Sequence, residues 1–488
     1  MSASLVPAPT TNPLRRIAFD IGTERAARSS GIPFPPGPMS FSLVRTRRFS
    51  QSPLPILLDC YERYGPVFSI RILHSPVVFM LGPEANHFLT VSNAAKFRWR
   101  DGSMGDLIPL LGDGMLTIDG PYHRQSRKVM LPSFHRERIA GSAHTMVEEI
   151  SQALGSWRVG ETLDLYHWTR ALALRVAMRA LLGFDSDRAE DLHAADEFEE
   201  ALAFFGTDYL LQTLRGPFSP FSRMLKHRER LDALIYEEIA RRRSSDERRH
   251  DLMSVLLDAT DDAGEPLSDR EVRDHLITLL FAGHDTTTST VTFLFYELLQ
   301  APEALARVTE ELDRELAGRP PTAEQLVGGL PELEAVMDET LRMYPLAWVG
   351  PRRAVESFEF AGTAVPSGAL VNYCSWASHR LPEVFPDPDR FDPTRFTPER
   401  KAALAKGAYV PFGGGSRTCI GMRFGQAEIN VIAAKILQRF RLDLAPGYTL
   451  RVRQTPTIGP RDGLPVTVRA SKPAKGLGDG TSREPLAA

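Results

Sequence analysis

Cys419 lies in the run Phe412-Gly-Gly-Gly-Ser-Arg-Thr-Cys-Ile-Gly421, a setting suited to a thiolate ligand. Gly413, Gly414 and Gly415 can enter positive φ and let the backbone approach a flat partner that Cβ atoms would hold away. Arg417 stands two residues before the thiol, where its charge offsets a sulfur anion. After Ile420 and Gly421 comes an apolar run at helical spacing, Phe424, Ala427, Ile429, Val431, Ile432 and Leu437. A helix starting there aims free N–H groups and a positive dipole end at the sulfur, which lowers a thiol pKa. The competing reading is an inert buried cysteine, the commoner fate of an isolated thiol.

A second constellation is Ala282-Gly-His-Asp-Thr-Thr287, in the middle of the longest helix candidate. Ser268 can cap that helix with Glu271 as its capping-box partner, and the helix must end before Pro302. About thirty residues at 1.5 Å each give roughly 45 Å, enough to cross a domain. Gly283 and the hydroxyls of Thr286, Thr287, Thr288, Ser289 and Thr290 are poor helix formers that compete for backbone hydrogen bonds. They suit either close packing on a neighbour or a local widening where a small ligand binds and protons arrive. Further along, Glu339 and Arg342 stand at i and i+3 and can pair. His123 and Arg127 stand at i and i+4, and Arg352 and Arg353 follow the Glu339 helix.

Around these residues the chain reads as mostly helical, with clear periodicity at 138–184 and 222–258. Residues 67–73 and 77–81 form a hairpin around His74-Ser75-Pro76, and short strands return at 358–360 and 369–373. Residues 1–34 read as a flexible tail, before a stiff stretch through Pro33, Pro35, Pro36 and Pro38. Residues 471–488 read as a disordered tail, poor in apolar residues. Three cysteines in 488 residues, Cys60, Cys374 and Cys419, exclude a disulfide framework and point to a reducing cytoplasm. A net charge of −3 argues against nucleic acid as a partner. The expected protein is soluble, cytoplasmic and monomeric, since no uncharged run reaches the roughly 18 apolar residues of a membrane span.

These patterns resemble the cytochrome P450 family. FxxGxRxCxG is filled by Phe412, Gly415, Arg417, Cys419 and Gly421, and (A/G)Gx(D/E)T(T/S) by Ala282, Gly283, Asp285, Thr286 and Thr287. ExxR is filled by Glu339 and Arg342, FxPxRF by Phe391, Pro393, Arg395 and Phe396, and W/HxxxR by His123 and Arg127. They occur in the family's order, and the resemblance covers residues 35–470 as a single catalytic domain. It implies a mainly α fold with small β-sheets, and haem b (iron protoporphyrin IX) between the long distal helix and the proximal cysteine-loop helix. Cys419 would be the axial ligand of the haem iron, in a loop shaped by Phe412, Gly415 and Gly421. His123, Arg127, Arg352 and Arg417 would receive the haem propionates. Thr286 would hydrogen-bond dioxygen or its water, and Asp285 would feed it protons. Glu339, Arg342 and Arg395 would form a buried triad supporting the haem loop. His284 occupies a variable position and carries no implied role. The tryptophan often found where His123 stands is absent.

A thiolate trans to dioxygen favours O–O cleavage once electrons and protons arrive. The resemblance therefore implies a monooxygenase that inserts one oxygen atom of O2 into a C–H bond or double bond of a lipophilic small molecule. The chain lacks the cysteines and length for a fused flavin or iron–sulfur region. A separate ferredoxin or flavodoxin with its NAD(P)H-dependent reductase is implied, and Arg124, Lys128, Arg136 and Arg138 are candidate basic contacts. By the same resemblance the substrate pocket takes Leu107, Ile108, Phe204, Phe205, Leu279 and Ala282. Trp348, Val349 and Ile458 complete it. Two other readings stand beside this one: a peroxide-using peroxygenase or hydroperoxide isomerase, whose members usually lose the acid and alcohol pair, and a non-catalytic haem sensor or carrier.

Overall fold

The computed structural model describes residues 13–470 except 185–188, 208, 246–250, 262, 323, 327 and 455–456. The expected disordered tail at 471–488 lies outside the described residues. The first correction concerns the opposite end. Of the residues 1–34 expected to be a flexible tail, 1–12 lie outside the described residues and Pro13–Ser29 form helix α1, because its charges find fixed partners on the sheet behind it. Asp20 is buried against His74 (3.4 Å) and Arg353 (3.6 Å), and Glu24 pairs with Arg71 at 2.7 Å. The proline stretch follows as an extended strap, accepting hydrogen bonds from Ser69 and Arg71 at the Pro36 and Pro38 carbonyls.

The hairpin forms as its β-branched and aromatic residues require: β1 (Val67–Ile72) pairs antiparallel with β2 (Ser75–Met80). Three more strands complete a sheet of order β1-β2-β5-β4-β3, with β3 Phe97–Arg98, β4 Val349–Ala354 and β5 Leu370–Cys374. Only β2 and β5 run parallel. A smaller sheet joins Thr162–Asp164, Pro465–Ala470 and Phe440–Leu444, and Val452–Arg453 pairs with Gly459–Pro460 as a hairpin. Helices make up most of the remainder: α2 (Gly120–Met130), α3 (Leu165–Ala177), α4 (Ala189–Ala203), α5 (Asp269–Leu298), α6 (Pro331–Met343) and α7 (Met422–Arg439) are those that position the site.

Helix α5 is the axis of the fold. Its capping box forms as the sequence demands, with Ser268 Oγ accepting from the Glu271 N–H and a Glu271 carboxylate oxygen accepting from the Ser268 N–H at 2.9 Å. Val272, Leu276, Ile277, Leu279 and Leu280 of its first half belong to one apolar cluster. Val291, Phe293, Leu294, Phe295 and Leu298 of its second half belong to another. The polar segment 282–290 is therefore the waist between two cores. No widening occurs there: α geometry runs unbroken from Asp269 to Leu298. Three of the hydroxyls are absorbed by bonding back to carbonyls four residues earlier, Thr286 to Ala282 (2.7 Å), Thr288 to His284 (2.8 Å) and Thr290 to Thr286 (2.9 Å). Among the described residues no helix is long and apolar enough to cross a membrane.

Candidate active site

The cysteine loop is closed by the Cys419 N–H donating to the Phe412 carbonyl at 2.9 Å, with Gly413 and Gly415 both at positive φ. Two of the glycines make room for a neighbour. A Cβ on Gly415 would stand 2.1 Å from the Thr90 carbonyl oxygen, and one on Gly414 would stand 2.7 Å from the Thr90 hydroxyl. Gly421 precedes α7 as its cap. The thiol keeps accessible surface, yet desolvation by the surrounding recess pushes it above the usual range, against the opposing pull of the Gly421 N–H and Arg127. The lowered pKa read from the sequence is thus not a property of the polypeptide alone. Bound metal deprotonates a coordinating thiol outright, so the burial that raises the free thiol does not prevent ligation.

Three arginines and a histidine from three segments gather here: His123 and Arg127 on α2, Arg352 on β4 and Arg417 in the cysteine loop itself. His123 on α2 is buried, and burial first, then Arg417, Arg127 and Arg124, drive it down to about 3, so it is neutral. Arg417 donates to the Met115 and Ile118 carbonyls and pairs with Asp119. Arg352 on β4 is 4% exposed and stacks 3.9 Å over the Trp99 ring. Burial first, with Arg417 adding to it, pulls Arg352 down to about 10. Its neighbour Arg353 turns the other way, to Asp20 and the Asp101 and Gly368 carbonyls. Trp99 Nε1 is buried without a partner. Mutually repelling buried cations beside an unpaired N–H donor fit a dianionic group, and the two propionates of haem have that character. An Arg352→Ala protein should lose haem to a scavenging apoprotein about tenfold faster, since a charged hydrogen bond is worth about 1.5–3 kcal/mol; an unchanged rate would contradict the assignment.

Behind the loop, Arg342 and Glu339 on α6 are fully buried and joined by two bonds of 2.7 and 2.9 Å. Arg395 stands 3.5 Å from the same carboxylate, too far for a good hydrogen bond, while the Asp392 N–H donates to it at 2.8 Å. Arg342 also donates to the His379 carbonyl at 3.0 Å. His379, driven down to about 3 by burial, accepts the Val410 N–H on Nε2 at 3.0 Å, just before the loop begins. The sequence reading missed Asp392, whose N–H supports Glu339, and His379, which joins Arg342 to the start of the loop, because both act through backbone groups that leave no motif.

On α5, Ala282, Gly283 and Thr286 share one accessible strip, and nothing lies within 4 Å of a Cβ built on Gly283. Thr286 donates its hydroxyl proton to the Ala282 carbonyl. Asp285 is 2% exposed and held on several sides. Its Oδ1 meets Arg170 Nη1 (2.8 Å), Arg453 Nη2 (3.0 Å) and the Tyr166 hydroxyl (3.4 Å), and its Oδ2 accepts from Thr457. Burial would raise this carboxyl, but Arg453, Arg170 and Thr457 overcome it and hold it below the usual range. None of these partners is legible from local sequence, since they lie more than a hundred residues away. Glu428 of α7 is a second buried acid missed by sequence; burial pushes it up to about 8 and it accepts from Thr287 at 3.3 Å.

The expected pocket residues fall in two groups. Leu107, Phe204, Phe205 and Leu279 pack in one cluster, and Trp348, Val349 and Ile458 in the other. Ile108 and Ala282 are half-buried and belong to neither cluster. Ile458 has no accessible surface, so here it is core. Trp348 spends its indole N–H on the Gln454 carbonyl and packs edge-on against Trp376. On the outer face of α2, Arg124 and Lys128 line a groove with His123, Arg127, Leu131 and Ser416 of the cysteine loop.

The family model for cytochrome P450 matches residues 32–460. A cyclooctat-9-en-7-ol 5-monooxygenase from Streptomyces melanosporofaciens is 37% identical over 70% of this chain and 75% of its own. Cyclooctatin synthase from the same organism is 34% identical over 82% of this chain and 89% of its own. Among solved structures, a retinoic-acid-bound cyanobacterial CYP120A1 superposes with a TM-score of 0.81 at 29% identity, covering 90% of this chain and all of that one. The helices, the small sheets and these relatives agree, and the chain belongs to the cytochrome P450 family as a P450 monooxygenase.

Proposed function

We propose that this enzyme binds haem b through Cys419 and inserts one oxygen atom of O2 into a C–H bond or double bond of a lipophilic, ring-containing small molecule. Thiolate-held haem supplies the reductive activation of dioxygen. The protein's own residues supply position and protons. Cys419, aided by Arg127, holds the group from one side, and His123, Arg127, Arg352 and Arg417 fix its charged edge. The observation that carries the reading is the acid and alcohol pair at the α5 waist. Asp285 is a buried carboxylate linked to partly exposed groups, and the residue after it, Thr286, is half-buried on the accessible strip of α5 with its hydroxyl on the Ala282 carbonyl. Thr286 can accept a hydrogen bond from a bound water and pass on a proton that Asp285 replaces. That pair separates a monooxygenase from a peroxygenase or a carrier, neither of which needs it.

The name of one relative, a cyclooctat-9-en-7-ol 5-monooxygenase, describes oxygenation of an unsaturated alcohol, and the apolar side chains Leu107, Ile108, Phe204, Phe205, Leu279, Ala282, Trp348 and Val349 favour a hydrocarbon-rich substrate of that class over a charged one. Electrons would come from a ferredoxin or flavodoxin with its NAD(P)H-dependent reductase, docking at the Arg124 and Lys128 face beside the cysteine loop. Two measurements test the reading. Lipophilic cyclic alcohols should shift the Soret band of the loaded enzyme, where polar acids of equal size do not. Thr286→Ala should retain haem while most electrons go to hydrogen peroxide, because a positioned proton donor is worth on the order of 10²-fold or more; product per electron unchanged from the parent would remove the role of Thr286.

A further inference from the structure

Asp285 is pinned, and the pin is itself held from outside. Arg170 uses Nε and Nη2 on Glu199 of α4, at 3.0 and 2.6 Å, and leaves Nη1 for Asp285 and the Tyr166 hydroxyl. The other Glu199 oxygen meets Nε2 of His284 at 3.0 Å. His284 is fully buried, and its ring lies edge-on to Phe198, one residue before Glu199. The side chain of the motif's variable position thus ties the turn that carries Asp285 to α4. Exposure rises along the chain of contacts, from 3% for the Asp285 side chain to 19% for Arg170 and 31% for Glu199. The network opens toward solvent at its Glu199 end.

An arginine fork offers only two edges, so a carboxylate that occupies one limits what remains for the other. Among the partners that strengthen the Arg170 charge against its burial, Glu199 outweighs both Tyr166 and Asp285. Glu199 in turn is held below the usual carboxylate range: burial opposes this, and His284 and Arg170 prevail. It therefore stays ionised and keeps its claim on the guanidinium. We propose that Glu199, steadied by His284, is a positioning residue for proton delivery: by occupying Nε and Nη2 of Arg170 it limits the guanidinium to its Nη1 contact with Asp285, so that the carboxyl can take up and release a proton. This rests on the assignment of Asp285 to proton delivery given above. In each cycle the Asp285 carboxylate gains one proton from water entering at the Glu199 end and releases one toward Thr286, returning to its ionised form; no electrons move in this step.

The groups facing Glu199 are Arg170 from α3 and His284 from α5, and Asp285, Tyr166 and Arg453 lie one contact further. In Glu199→Gln the fork is released to close on Asp285, and a negative neighbour is also lost. Both changes favour the Asp285 carboxylate. A neighbouring charge shifts a pKa by about 1–3 units, so the fall in product per electron with rising pH should move at least about one unit lower. The solvent isotope effect on product formation should rise. In the haem-loaded protein, the protonated-carboxyl stretch of Asp285, identified by its loss in Asp285→Asn, should appear only at correspondingly lower pH in infrared difference spectra. Glu199→Asp, which keeps the charge, should stay near the parent profile. If Asp285→Asn disturbs coupling and isotope effect while Glu199→Gln matches the parent in profile and infrared titration, the positioning role is overturned and the Asp285 assignment stands. A displacement in Glu199→Asp as large as in Glu199→Gln also overturns it. If Asp285→Asn itself changes nothing, the proton-delivery reading fails and takes this inference with it.

Discussion

Arg342→Leu should yield a protein that takes up little or no haem and melts far below the parent. Glu339 and Arg342 are both without accessible surface. Burial raises the Glu339 carboxyl, and the Arg342 hydrogen bond is the foremost influence opposing it. Leucine removes that cation together with donors to Glu339 and to the His379 and Arg390 carbonyls. What remains for Glu339 is the Asp392 N–H and an arginine at 3.5 Å. Removing one partner of a buried pair costs about 3–5 kcal/mol, against a total stability of about 5–15 kcal/mol for a folded domain. The damage should reach the cysteine loop through His379, whose Nδ1 faces the Arg342 carbonyl and whose Nε2 accepts from Val410. Arg342→Lys should recover only part of the loss, because an ammonium cannot reproduce the two-edged contact. Removing both charges, as Glu339→Leu with Arg342→Leu, should melt higher than Arg342→Leu alone, since no uncompensated charge is left. Thermal melting and haem occupancy of the purified proteins decide it; an Arg342→Leu protein with full haem and a parental melting temperature would show the pair to be ornamental.

What the sequence made legible was short in range. The Ser268 cap, the β1–β2 hairpin, the i,i+3 pair on α6 and the glycines of the cysteine loop are each decided by residues within a few positions of one another. The family patterns extended that reach, since their order locates Cys419, Asp285 and the α6 pair in one chemistry. Contacts between distant segments stayed hidden. Asp285 draws its partners from positions 166, 170, 453 and 457, and no periodicity marks any of them. Helix α1 was hidden for the same reason: its sequence has little apolar face, and it is held by Asp20 and Glu24 reaching charges on the hairpin and on β4. The Gly414 and Gly415 positions were read correctly as needing no side chain, but the neighbour they admit is Thr90, more than three hundred residues earlier in the chain. Burial accounts for the remaining difference, since the sulfur's surroundings raise its pKa where the helix end alone suggested a fall.

Cys419→Ser should remove the electronic basis of the activity while leaving the fold. The side chain is nearly isosteric, and no side chain in the loop depends on the sulfur; the loop is closed by backbone bonds from Cys419 to Phe412 and from Gly413 to Val410. Serine binds haem iron as a harder, less electron-releasing ligand than a thiolate, so haem should be retained by Arg127, Arg352, Arg417 and the neutral His123 even as the chemistry is lost. The decisive measurement is the absorption spectrum of the reduced protein under carbon monoxide, parent beside Cys419→Ser. The account predicts the red-shifted Soret band of thiolate-ligated haem in the parent and its disappearance in the variant. A parent spectrum typical of histidine-ligated haem, or a red-shifted band that survives in Cys419→Ser, would contradict it.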